Sequence, residues 1–136
     1  MILAVPTARL LPALFLISSM AACNRTPQGV ACAPLTTVTA VRVSQSDQPR
    51  SVVIDNPYRV HALVDFANGR RQGFSPRGKA LPTPVTSATF FNGSRQLLTL
   101  SAGANFFSLS CEGWQGVEEA NRVQVAEFQR LLSNQP

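Results

Sequence analysis

The chain has 136 residues, of which 45% are hydrophobic and 14% charged. That balance suits one small globular domain and excludes wholesale disorder. Twelve Lys and Arg against seven Asp and Glu give a formal net charge of +5. The excess favours anionic surfaces such as lipid headgroups or lipopolysaccharide. With no RNP motif, zinc-finger spacing or dense basic stripe, no nucleic-acid partner is expected.

Residues 1–23 read MILAVPTARLLPALFLISSMAAC. One positive charge, Arg9, precedes an apolar run over residues 10–17, and the small residues Ser18, Ser19, Ala21 and Ala22 follow. This is the layout of a secretory signal peptide, with an apolar run too short to span a bilayer stably. Met20-Ala21-Ala22-Cys23 resembles the lipobox of bacterial lipoproteins, in which small residues directly precede the cysteine that is acylated and becomes the new N-terminus. Met20 stands where that family prefers leucine. The resemblance covers the leader alone. It implies a signal peptide over 1–22 and a thioether-linked diacylglycerol on Cys23, usually with a further palmitate-type chain on the amine. Two or three such chains, at about 0.8 kcal/mol per buried methylene, hold a protein firmly to a membrane. Asn24, in place of the Asp that commonly retains lipoproteins at the inner membrane, favours the outer membrane and a periplasm-facing domain. An ordinary cut after Ala21 would also satisfy the small-residue rule through Ser19 and Ala21, but it leaves an odd number of free cysteines.

In an exported chain the other two cysteines, Cys32 and Cys111, are expected to form a disulfide. The closed loop of about 80 residues gives roughly 4 kcal/mol in chain-entropy terms. A redox or metal role is disfavoured, because the spacing is not CxxC and the chain has one histidine.

Residues 23–34 read as a lipidated tether, interrupted by Pro27, Gly29 and Pro34, and 35–136 as a single α+β periplasmic domain. The β-branched run 35–43 predicts a strand, and residues 51–54 a second. Asn56-Pro57 then marks a helix start. Val60, Leu63, Val64 and Ala67 form one apolar stripe, with Asn68-Gly69 expected to close the helix. Residues 69–84 are expected to be a long loop. Strands over 85–91 and 95–102 flank Asn92-Gly93, a hairpin signal of type I′. A turn at 102–104 leads to a last strand at 105–111 that would point Cys111 inward. Trp114 falls in a loop between Gly113 and Gly116, and a final helix is expected over 117–132, with Asn121 and Gln124 interrupting its apolar side. The order β-β-α-β-β-β-α predicts a small antiparallel sheet with two amphipathic helices on one face and one disulfide.

No catalytic, metal or cofactor site is expected. His61 and Asp65, four apart on the first helix beside Tyr58, offer two polar groups without a nucleophile or third ligand. No GxSxG, HExxH or Gly-rich phosphate loop occurs. One segment has a functional look: Arg70, Arg71, Arg77 and Lys79 surround Phe74, a basic loop suited to phosphate-bearing lipid or an acidic protein surface. Trp114 is a candidate interface anchor or a lid over the core. Phe90-Phe91 and Phe106-Phe107 put aromatics on both sheet faces; those on the face away from the helices either form an exposed protein-binding patch or are edge-strand residues buried by loops. The expected function is a membrane-anchored, non-enzymatic binding module for an envelope protein. The alternatives are a structural lipoprotein that binds lipopolysaccharide or peptidoglycan through the basic loop, and a small hydrolase with an unfamiliar site.

Overall fold

The computed structural model describes residues 32–76 and 83–133. The leader, Cys23, most of the tether, Arg77 and Lys79 lie outside the described residues. The elements run β1 (Ala40–Gln45), β2 (Val52–Ile54), α1 (Pro57–Arg70), a 3-10 turn (Arg71–Gly73), β3 (Ser75–Pro76), β4 (Thr86–Asn92), β5 (Arg95–Ala102), β6 (Phe106–Cys111), β7 (Trp114–Glu119) and α2 (Arg122–Leu132). The seven strands form one sheet in the order β2-β1-β4-β5-β6-β7-β3, and every neighbouring pair is antiparallel. The α+β class, the two helices and the Cys32–Cys111 disulfide all match the sequence expectation.

Strand alternation divides the sheet into two chemistries. Val41 lies opposite Phe90 and Val43 opposite Ala88. Ala88 in turn faces Leu100, and Leu100 faces Leu109. All of these are buried, and α1 and α2 supply Val60, Leu63, Ala67, Val125 and Phe128 to the same core. At its centre three rings interlock. Phe107 meets Phe66 at 5.9 Å and Phe128 at 5.7 Å, both edge-to-face, while Phe66 stacks on Phe128 at 5.5 Å. Such pairs add roughly 0.5–1.5 kcal/mol each beyond burial.

Five local details differ from the sequence reading. The β4–β5 hairpin forms where Asn92-Gly93 predicted it, but Asn92 pairs with Arg95 and the loop is Gly93-Ser94. Gly93 takes φ +60° and no non-glycine residue among those described has positive φ. This is the type II′ pattern, which needs one left-handed residue where type I′ needs two.

The strand expected to start at residue 35 starts only at Ala40, five residues later, as β1, and Leu35 takes no strand partner. Instead, the Leu35 N–H donates to Asn68 Oδ1 and the Asn68 side-chain amide donates to the Leu35 carbonyl, both at 2.9 Å. With Asn68 so used, it does not end α1, which continues through Gly69 to Arg70. The start of that helix is as read: Asn56 Oδ1 accepts from the N–H groups of Tyr58 and Arg59, and Pro57 opens the first turn.

The helix expected over 117–132 begins only at Arg122. Asn121 and Gln124 form a capping box: the Gln124 N–H donates to Asn121 Oδ1 at 2.9 Å and the Asn121 N–H to Gln124 Oε1 at 3.0 Å. The two polar residues that interrupt the apolar pattern are therefore the helix start signal itself. Upstream of them, residues 114–119 are strand β7 rather than a loop, and Trp114 pairs with Cys111 across a hairpin closed by Gly113 at φ +73°.

Candidate functional site

The residues singled out by sequence divide sharply once placed. Arg70, the last residue of α1, does not face solvent. Its guanidinium lies 4.7 Å from the ring centroids of both Phe66 and Phe107. Its Nη1 is 3.8 Å from Glu118 Oε2 on β7, and the two side chains are 15% and 23% exposed. A weakly hydrated planar cation is the one charge that stacks on rings in this way. Arg71 begins the 3-10 turn and turns inward, its Nη1 donating to the Cys32 carbonyl at 3.2 Å. Phe74 is buried in the core.

Arg70, Arg71 and Phe74 are thus drawn into structural contacts instead of being displayed on a loop. The segment holding them is helix, 3-10 turn and the short strand β3, which pairs with β7 through Ser75 and Val117. Arg77 and Lys79 fall outside the described residues. The charge count follows the same division. Arg9, Arg25, Arg77 and Lys79 lie outside, along with none of the seven acidic residues, so the described residues hold eight basic groups against seven acidic ones.

Trp114 is partly buried and packs on the core next to the disulfide strand. A Cβ at Gly116 would strike its ring and come 2.8 Å from the Ser75 carbonyl, so this glycine makes room for both the indole and β3. The aromatics of the outer sheet face form no open patch. Phe106 is buried with its ring over Gly103. Phe91 is partly buried, with the Arg42 guanidinium 4.9 Å above its ring. The middle of that face, on β4 and β5, carries hydroxyls: Ser87 pairs with Ser101 at 2.8 Å and Thr89 with Thr99 at 3.1 Å.

His61 Nε2 and Asp65 Oδ2 are 3.2 Å apart on the outside of α1, with side chains 78% and 67% exposed. An exposed i,i+4 pair of this kind makes a weak surface contact. Among the described residues no group of three His, Cys, Asp or Glu could hold a metal ion.

The disulfide expected from the sequence is one of several fastenings of a longer segment. Residues 32–39 form a strap bound at three points to the rest of the domain. Cys32 is held by Cys111 and by Arg71, and Leu35 by Asn68. At the far end of the strap the Thr39 N–H donates to the Phe91 carbonyl, and the Gly93 N–H donates to Thr39 Oγ1, both at 2.8 Å. Cys32 and Leu35 are buried, so the stretch read as tether up to residue 34 enters the core at its last residues. The available signal was Asn68, which stands eight after Val60 and hence on the apolar stripe of α1, where a polar side chain needs a partner. Between the strap and the ends of β5 and β6 lies a groove of about 330 Å³, lined by Leu35, Thr37, Asn92, Arg95, Leu98 and Glu112 among others.

No protein-family model matches the chain, and no curated protein matches it. Among solved structures the chain is similar to the crystal structure of a "Putative Lipoprotein" from Clostridium perfringens, at 14% identity and a TM-score of 0.49. The alignment covers 68% of this chain and 83% of that one. Among the described residues, no helix is long and apolar enough to cross a membrane.

Proposed function

We propose that the protein is a lipoprotein of the bacterial cell envelope, anchored by acyl chains on Cys23, whose domain serves as a non-enzymatic binding module for an envelope protein. The observation that carries this reading is the fate of the cysteines. Cys32 and Cys111 are bonded to each other, a state that belongs to an oxidising compartment. The third cysteine is the one that directly follows Met20-Ala21-Ala22, where the lipobox resemblance asks for acylation. Asn24 favours attachment to the outer membrane with the domain facing the periplasm. A binding role fits a domain whose most prominent charged and aromatic side chains serve its own packing and whose remaining acid–base pair is an exposed helical one. The runner-up, adhesion to anionic envelope surfaces through a basic loop, loses Arg70 and Arg71 to internal contacts. It then rests on Arg77 and Lys79.

Expressed in a Gram-negative host with a clickable fatty acid, the parent protein is expected to take up label and enter the detergent phase. A Cys23→Ser variant should do neither. Recovery of unlabelled parent with its leader intact would overturn the anchor. For the binding role, in-cell cross-linking is expected to yield one partner that is retained when Arg77 and Lys79 are both replaced by Ala. Binding to anionic vesicles that vanishes with those changes and with salt would favour the adhesion reading instead.

A further inference from the structure

We propose that the Cys32–Cys111 disulfide sets the orientation of the domain on its membrane, turning the end of the sheet that carries the β4–β5 and β6–β7 turns toward the lipid headgroups; this rests on acylation at Cys23. Nine residue steps separate Cys23 from Cys32, so the acylated residue lies within about 30 Å of the disulfide even when the chain is fully extended. For a flexible chain the usual separation is roughly half that. The disulfide fastens Cys32 to the last residue of β6, beside the turn Glu112-Gly113. Antiparallel pairing puts the Gly93-Ser94 turn at the same end, and the Thr39–Gly93 bond holds the strap against it. The opposite end, with the loop 46–51, the turn 103–105 and the start of α2, stands farther out by the length of β5. Its eight residues span about 27 Å.

The composition of the anchor-proximal end fits contact with headgroups and not insertion. Asn92, Gly93, Ser94, Arg95, Glu112 and Gly113 are all exposed. Of the exposed large hydrophobic side chains among the described residues, Val52, Val53, Val85 and Val123 lie away from this end, and Tyr58, with its polar hydroxyl, opens α1 next to Pro57, which faces the strap residues Thr36 and Thr39. Val85 and Val123 are at the opposite end, next to the Ser46 and Asn105 backbone contacts. Arg95 and Glu112 offset one another in charge, so the orientation depends on where the chain is fastened and not on lipid charge.

The test uses the full-length, acylated protein in phosphatidylcholine vesicles, with a photoreactive amino acid at Ser94 or Glu112 in one set and at Asp47 or Ala104 in the other. Lipid adducts are counted by mass after illumination. Adducts at Ser94 and Glu112 are expected to exceed those at Asp47 and Ala104 by about tenfold, with the same ratio in phosphatidylglycerol vesicles and in high salt. A variant with twenty Gly/Ser residues inserted after Asn24 leaves the disulfide intact and should bring the ratio close to one. Equal adducts at the two ends in the parent, or an unchanged ratio in the lengthened variant, would overturn the proposal. Failure of the anchor itself is seen separately, as protein that carries no acyl mass and does not float with the vesicles.

Discussion

On the inner face of the sheet, Val41, Phe90, Leu100 and Leu109 are sealed beneath two helices, and each opposes another apolar side chain across the strands. On the outer face the alternate positions are the hydroxyl residues Ser87, Thr89, Thr99, Ser101, Ser108 and Ser110, of which Ser101 is buried and the others half-buried. The same seven strands therefore serve two solvents. Hydroxyls that bond sideways to one another satisfy their polarity without a partner and give a face that water can wet. Stability is concentrated on one side, and the other can change at little cost.

This contrast can be broken most severely at the aromatic centre. Phe107→Ala removes the ring shared by Phe66, Phe128 and Arg70, and is expected to cost about 3–5 kcal/mol in urea unfolding. Replacing Cys32 and Cys111 together by Ala is expected to cost about 2–5 kcal/mol, part of it through the unfolded chain. If that pair proves neutral, the strap is held by its hydrogen bonds alone. Asn68→Ala deletes both side-chain bonds to Leu35 and leaves that backbone unpaired in a part-buried site, for about 1–3 kcal/mol. Least of all, Thr89→Val with Thr99→Val swaps a paired hydroxyl for two apolar groups of similar shape. It should move stability by less than about 0.5 kcal/mol, since both partners leave together. A large loss there would mean that the outer face is covered.

The legible and illegible parts of the fold follow the same physical line. Period-2 and 3.6 patterns record burial, so the strands around Val41, Phe90 and Leu100 and the stripe of α1 could be read from sequence. Inward placement of Cys111 followed from Phe107 and Leu109 on the same face. The errors lie where a polar side chain serves a long-range partner. Asn68 looked like a helix stop and is a clamp for Leu35, and Asn121 with Gln124 looked like an imperfect stripe and is a cap. Arg70 and Arg71 are the same error at the candidate site. Local spacing shows that charges cluster, but not that two rings and a carbonyl 39 residues away in sequence will claim them.

The pairing of Trp114 with Cys111 has an optical consequence. The chain has a single tryptophan, and it sits across the strand pair from a disulfide sulfur, a group that drains the excited state of indole. Reduction with the fold intact should brighten its emission without shifting its colour, whereas unfolding should move that emission to the red. The molecule therefore carries its own gauge of whether the strap is fastened, one that needs no added dye.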